Sequence, residues 1–313
     1  MMAPSRSFTL LGVASTDAKV AGGVPAGIGL AVASMSMLQL GAALSEPLFD
    51  RIGPAGVVAV RLVAAALILW PFARPRLAHR SAGDMRAAVA LGVCSGILTL
   101  AFFQAIDRIP LGVTVTIEFL GPLGVALAAS RRPRDVAFVA LAGAGVALLT
   151  LGHGAGGPLD PLGVAFAALS GTCWAAYILL TKRVGAQWPG LEGLAVSMAV
   201  AALVALPLGV VDGGSELLDP GVLLAGLGLA LLLPLLPYVC ELVSLRRLPT
   251  GLFGVIMSLE PAIAALFGFA LLSQSLSASG VLAVGLVVIA SAGATVSAAR
   301  PPIEEPAEAA VAV

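Results

Sequence analysis

Ten apolar runs of about 20 residues each, joined by short polar connections, constrain this chain more than any other feature. They fall at approximately 24–45, 54–72, 86–106, 111–129, 134–151, 161–181, 191–211, 220–243, 250–272 and 278–297. A helix rises 1.5 Å per residue, so about 20 residues cross a hydrocarbon core ~30 Å thick. Transmembrane strands would alternate apolar and polar residues, whereas these runs are continuous in Leu, Ala, Val and Gly. With 59% hydrophobic and 11% charged residues and a mean hydropathy of +1.05, the chain lies outside the range of soluble globular proteins. The connections carry Gly53-Pro54, Pro75, Pro133, Pro158, Pro189 and Pro220, which suits tight turns and leaves no room for a soluble domain. The expected fold class is an all-α integral membrane protein of ten transmembrane helices.

A formal net charge of +0 gives no general attraction to nucleic acid, so what matters is where the charges sit. Fourteen of the 17 basic residues fall in alternate connections: Arg6 and Lys19; Arg74, Arg76, Arg80 and Arg86; Arg131, Arg132 and Arg134; Lys182 and Arg183; Arg246 and Arg247; and Arg300. The opposite connections hold only Arg51 and Arg108, and Arg61 lies inside a run. By the positive-inside rule both termini are expected in the cytoplasm. The apolar patch from Phe8 to Val13 is too short for a signal-peptide core, so the first long run reads as an uncleaved span after a cytoplasmic segment, 1–23. The Pro- and Glu-bearing end of the chain, 298–313, reads as a disordered cytoplasmic tail. Cys94, Cys173 and Cys240 are far apart and lack CxxC spacing, while His79 and His153 fall in polar connections, so neither a disulfide framework nor a metal site is expected.

Residues 109–127 laid over 248–266 at an offset of 139 give seven identities in 19 positions. They include Pro110 with Pro249, Gly112 with Gly251 and Pro122 with Pro261. Apolar matches are cheap in such sequences, so the prolines and glycine carry the weight. The division expected is a first five-helix repeat at 24–151 and a second at 161–297. Five is odd, so the second copy enters the membrane from the other side, and Asp107-Arg108 then lies outside where Arg246-Arg247 lies inside. Inverted repeats let one central site open to either face in turn, which points to a carrier.

Three segments, IPLGVTVTIEFLGPLGVALAASRRPRD, GTCWAAYILLTKR and LPYVCELVSLRRLPTGLFGVIMSLEPAIAAL, resemble the EamA-type transporters of the drug/metabolite transporter superfamily, and within it the bacterial threonine/homoserine exporter branch. The resemblance covers nearly all of residues 27–297. It implies a multi-pass exporter of the bacterial inner membrane, driven by proton antiport. Related members handle different amino acids, metabolites and drugs, so the fold leaves the cargo open.

An ionisable group within a span costs about 2.5–3.5 kcal/mol on insertion scales, which asks for a partner or a task. Arg61, Glu118, Glu241 and Glu260 are such groups. Arg61 either pairs with Glu118 or Glu260 or receives a cargo carboxylate in its bidentate fork. Three carboxylates against one arginine leave an excess of negative charge that proton uptake relieves, and Glu118 is the candidate for binding a cargo ammonium or exchanging a proton. Glu241, nearer the cytoplasmic end, can snorkel to water. Gln39, Trp174 and Tyr177 lie in the matching first spans of the two repeats and can line a polar cavity, although Trp and Tyr also anchor at interfaces. Pro122 and Pro261, with Pro234 and Pro237, are candidate helix breaks for kinking or gating. Gly92 and Gly96 read as close helix packing.

No catalytic dyad, HExxH or nucleotide-binding motif is present, which argues against an enzyme or an ATP-driven pump and calls for no cofactor. A filter motif of the kind channels carry is also missing, and a non-transporting scaffold leaves the inverted repeats and buried charges unexplained. With aromatics at only 5%, the composition leans toward a small polar cargo, an amino acid, over an apolar drug. The partners called for are the lipid bilayer, that cargo and a proton, with monomer and homodimer both open and no nucleic acid.

Overall fold

The computed structural model describes residues 23–129, 133–151 and 158–299. Residues 1–22 and 300–313, which hold most of the expected terminal segments, lie outside the described residues, as do Arg131, Arg132, His153 and the side chain of His79.

The described residues are helical and contain no strand. In order they form α1 (Gly23–Ser45), α2 (Phe49–Ala73), α3 (Ala82–Ile106), α4 (Leu111–Glu118), α5 (Leu120–Ala129), α6 (Pro133–Leu151) and α7 (Pro161–Gln187). The chain continues through α8 (Glu192–Gly213), α9 (Pro220–Ala230), a π-helical turn (Leu231–Leu235), α10 (Leu236–Leu245), α11 (Thr250–Met257), α12 (Glu260–Leu272) and α13 (Ala278–Ala299). Among the described residues seven helical stretches are long and apolar enough to cross a membrane, with shorter apolar helices at Leu111–Val125 and Val136–Leu149. The first stretch, Gly23–Ala73, has 51 residues, enough length for two crossings. Leu67, Phe72, Leu203, Val211, Phe269 and Val281 point outward, as expected of a multi-pass protein whose exterior meets lipid.

Local sequence sets the helix starts. Ser81 and Asp84 form a reciprocal capping box before α3, the Ser81 hydroxyl accepting from Asp84 N at 3.1 Å and the Asp84 carboxylate from Ser81 N at 3.3 Å. Asp160 and Asp219 cap α7 and α9, each followed by a proline at the first helical position, where no backbone N–H is needed. Gly53, at φ +66°, turns the chain between the first turn of α2 and its long apolar run, a conformation that glycine adopts without penalty.

Contacts sort the connections into two ends. At one end Arg80 bonds Glu192 at 3.0 Å, and Gly27 meets Arg247 and Leu248. At the other, Arg51 bonds Glu216 at 2.6 Å and Asp219 at 3.1 Å, Arg108 reaches Asp160 at 3.8 Å, and Gln274 Oε1 accepts from Leu111 N at 2.9 Å. The helices pack chiefly as α2 on α8, α3 on α7 and α8, α6 on α13, and α1 on α10. A Cβ on Gly92 would sit 2.5 Å from Ser197 O, so the reading of close packing there holds.

Two helices are broken in matching fashion. α4 and α11 are eight residues each and begin after Pro110 and Pro249, whose backbones are nearly the same, φ −54°, ψ 142° and φ −56°, ψ 137°. Pro122 and Pro261, read as candidate helix breaks, lie where these two helices break. The breaks fall at Phe119 and at Ser258–Leu259, and the prolines sit in the first turn of α5 and α12, where their missing N–H costs no helical bond. Pro234 does interrupt a helix, lying within the π-helical turn, and Pro237 follows in the first turn of α10.

Candidate functional site

The breaks and the π-helical turn surround a cavity of ≈ 420 Å³. Arg61, Glu118, Glu260, Gln39, Trp174, Tyr177, Glu241, Pro234 and Pro237 all line it, so residues from α1, α2, α4, α7, α10, α12 and the π-helical turn meet at one place. Pro122 and Pro261 do not line it.

Glu118 ends α4, where the helix breaks, and accepts a hydrogen bond from Ser170 Oγ of α7. The approach of these helices rests on two glycines: a Cβ on Gly171 would lie 2.7 Å from Glu118 O, and one on Gly121 would lie 1.9 Å from Gly171 O. Glu260 opens α12 after the second break and accepts from Gln39 Nε2 at 3.2 Å. Glu241, half-buried on α10, accepts from Ser34 Oγ of α1 at 2.7 Å, and the same hydroxyl lies 3.3 Å from Pro237 O. Glu241 is thus hydrogen-bonded to a neighbouring helix. Glu260 lies within electrostatic reach of both Glu118 and Glu241.

Arg61, Glu118 and Glu260 are each 6% exposed, yet among the described residues no ion pair joins Arg61 to either carboxylate. The alternative of a structural pair is therefore not what the fold builds. The guanidinium lies over the Phe103 ring at 5.1 Å, and its Nε has no hydrogen-bond partner. A buried cation held by a ring face and lacking a carboxylate can accept an anion that enters the cavity.

Trp174 packs edge-on against Phe119, ring centroids 5.3 Å apart at 85°, and lines the cavity. Sequence reasoning missed Ser170, Ser95, Phe102, Phe103 and Tyr238. Of these, Ser170 lies immediately before the segment GTCWAAYILLTKR, four residues before Trp174, one helical turn away on the same face. Phe102, Phe103, Trp174, Tyr177 and Tyr238 gather here, so the low overall aromatic content hides a local concentration. The fold also brings Cys94 beside Cys173, the thiol 3.1 Å from the Cys173 carbonyl oxygen, with all three cysteines free. Among the described residues no group of three or more His, Cys, Asp and Glu side chains is placed to hold a metal.

The cavity's exposed rim includes Leu191, Tyr238 and Val239. Leu191 belongs to the end of the bundle that carries Lys182, Arg183, Arg246 and Arg247, whereas Tyr238 and Val239 lie in the first turn of α10. The other end carries the Arg51 and Arg108 ion pairs, with Phe49, Phe103 and Ile106 buried in the core.

The EamA-like transporter family matches residues 161–296. The chain is 41% identical over 272 residues to the threonine/homoserine exporter RhtA of Salmonella typhimurium (strain SL1344), covering 86% of this chain and 91% of that protein. It is 41% identical over 267 residues to the exporter of the same name from Escherichia coli (strain K12), covering 84% and 89%. A solved crystal structure superposes with a TM-score of 0.57 at 20% identity, over 89% of this chain and 98% of its own length, a likeness of fold.

Proposed function

The chain belongs to the EamA-like transporter family, and from that premise we propose that it exports small amino acids of the threonine and homoserine type across the bacterial inner membrane. It is a multi-pass membrane protein, and its curated relatives are named as exporters, not as enzymes. The observation that carries the cargo assignment is the convergence of an unpaired Arg61 with Glu118 and Glu260 on one cavity. An amino acid carries a carboxylate and an ammonium a few ångström apart. Arg61 receives the first in a bidentate fork, and the carboxylates hold the second.

The architecture we propose is ten crossings in two inverted repeats, 24–151 and 161–297, with both termini cytoplasmic. Supporting it, Gly27 of α1 packs on Arg247 and Leu248, while Gly163 of α7 packs on Arg108 and Ile109, the same pair of positions 139 residues earlier. Each first helix thus packs against the third span of the other half, as exchange between equivalent halves requires. The positive-inside rule makes the Lys182–Arg183 end cytoplasmic, so the cavity faces the cytoplasm with the outer end closed. Export then proceeds by alternating access. Cargo enters past Leu191 and Tyr238, the halves exchange, the Arg51 and Arg108 pairs part, and a proton returns on Glu118 or Glu260. The aromatic wall favours one further reading, export of another metabolite or drug with an apolar body.

Counterflow separates the two. Proteoliposomes preloaded with unlabelled threonine or homoserine should accumulate labelled threonine above empty liposomes, and external homoserine should abolish the signal. No uptake with any amino acid, from folded protein, would move the cargo to another metabolite. An imposed pH gradient that leaves the rate unchanged would remove the proton from the mechanism.

A further inference from the structure

Gln39 is 3% exposed, lines the cavity and uses only half of its amide. Its Nε2 donates to Glu260 Oε1 at 3.2 Å, while its Oε1 has no hydrogen-bond partner. In the structure the NH2 edge faces the Glu260 carboxyl, whose Oε1 accepts, and the amide oxygen faces away. A buried acceptor left without a donor is costly, and because this oxygen is itself covered, a donor entering the cavity reaches it once the side chains over it shift.

Resting on the amino-acid reading above, we propose that Gln39 is the specificity-determining residue of this site and that its Oε1 accepts a hydrogen bond from the side-chain hydroxyl of the cargo. The cargo's three polar groups then meet three different partners. Its carboxylate goes to the Arg61 guanidinium, the strongest donor on the wall. Its ammonium goes to the carboxylates, which attract a cation more than a neutral amide oxygen does. That leaves the hydroxyl for the neutral acceptor. Two of the lining hydroxyls already use their protons, Ser95 Oγ donating to Leu91 O at 2.8 Å and Ser170 Oγ to Glu118. Glu260, by holding the amide edge, fixes where the acceptor points, so Gln39 reads the cargo from a locked position rather than a mobile one.

A site built to bond a hydroxyl rejects an analogue lacking it far more strongly than an apolar pocket rejects a missing methylene, because the protein acceptor stays unpaired. One probe serves for both cargoes: 2-aminobutyrate is threonine without its hydroxyl and also homoserine without its hydroxyl. The experiment is competition against labelled threonine counterflow in proteoliposomes, comparing threonine, homoserine and 2-aminobutyrate. Wild-type protein should prefer each hydroxyl amino acid over 2-aminobutyrate by roughly 10- to 100-fold. In Gln39→Leu the ratio should collapse toward one, whatever the absolute rate, and Gln39→Met, close to Gln in shape but without the acceptor, should do the same if the leucine variant does not fold. Equal competition by 2-aminobutyrate in the wild type, or a ratio kept in a folded variant, overturns the assignment of Gln39 while leaving an amino-acid carrier standing. Absence of any amino-acid uptake by folded wild-type protein overturns the cargo reading itself and this inference with it.

Discussion

The helix broken between α4 and α5 and the helix broken between α11 and α12 carry the same backbone device and different chemistry. Both begin after a proline with nearly the same dihedrals, run eight residues, break, and resume with a proline in the first turn. In the first, the acid precedes the break as Glu118 and is held by Ser170. In the second, it follows the break as Glu260 and is held by Gln39. The 139-residue offset places Glu260 opposite Gly121, where the first break needs bare backbone to approach Gly171. The break therefore makes room for a carboxylate on either side, and the neighbouring helix decides which side is free.

That comparison is most easily broken at Gly121. Gly121→Ala puts a Cβ against the Gly171 carbonyl, where neither backbone can yield, and should cost about 3 kcal/mol or more, seen as a large fall in Tm or in monodisperse protein. Glu260→Gln, at the matching position, should stay folded. A Gly121→Ala protein as stable as wild type would mean that the helices are not in contact.

Next in size are the two acids. Glu118→Gln and Glu260→Gln each remove a charge while keeping an acceptor for their partners, so each should lower threonine counterflow about tenfold or more without loss of folding. Unchanged transport in Glu118→Gln would remove that residue from cargo and proton alike, and would make the second break the functional one. Arg61→Lys should raise the half-saturating threonine concentration about tenfold, since an ammonium cannot reproduce the planar fork.

The smallest effect belongs to the closed end. Arg51→Ala removes exposed pairs to Glu216 and Asp219, and solvent screening leaves little stability to lose. Arg51 holds the Asp219 carboxyl below the usual carboxylate range. The pair's contribution is thus fully present above the ordinary value of 3.8 and is lost as pH falls through the lower folded value. Melting at pH 7 and below pH 4 should show the difference between Arg51→Ala and wild type shrinking in acid. A difference that grows in acid would contradict the pairing.

Hydropathy located the helices because a span must satisfy its own backbone, so continuous apolar runs of fixed length have one solution. It placed the residues of the cavity on the right helices, since an ionisable group in such a run stands out against its neighbours. It did not show that Arg61 would rest on Phe103 rather than on a glutamate, nor that Ser170 would be the partner of Glu118. Those contacts depend on helix rotation and crossing, set by small residues such as Gly121 and Gly171 that look alike at every position of a membrane sequence. The prolines were visible, but whether one lies within a helix or opens the next turns on where the break falls, one to three residues away. The aromatic wall was hidden because its members come from α3, α7 and α10 and gather only in the fold.

The most direct test is saturable binding of labelled threonine to purified protein, wild type beside Arg61→Ala, with both shown to be folded and monodisperse. Saturable binding by the wild type that homoserine displaces, lost in Arg61→Ala, is the expected result and places the cargo in the cavity between the two broken helices. Equal binding by both proteins would contradict it, because a carboxylate held without Arg61 must be held somewhere else.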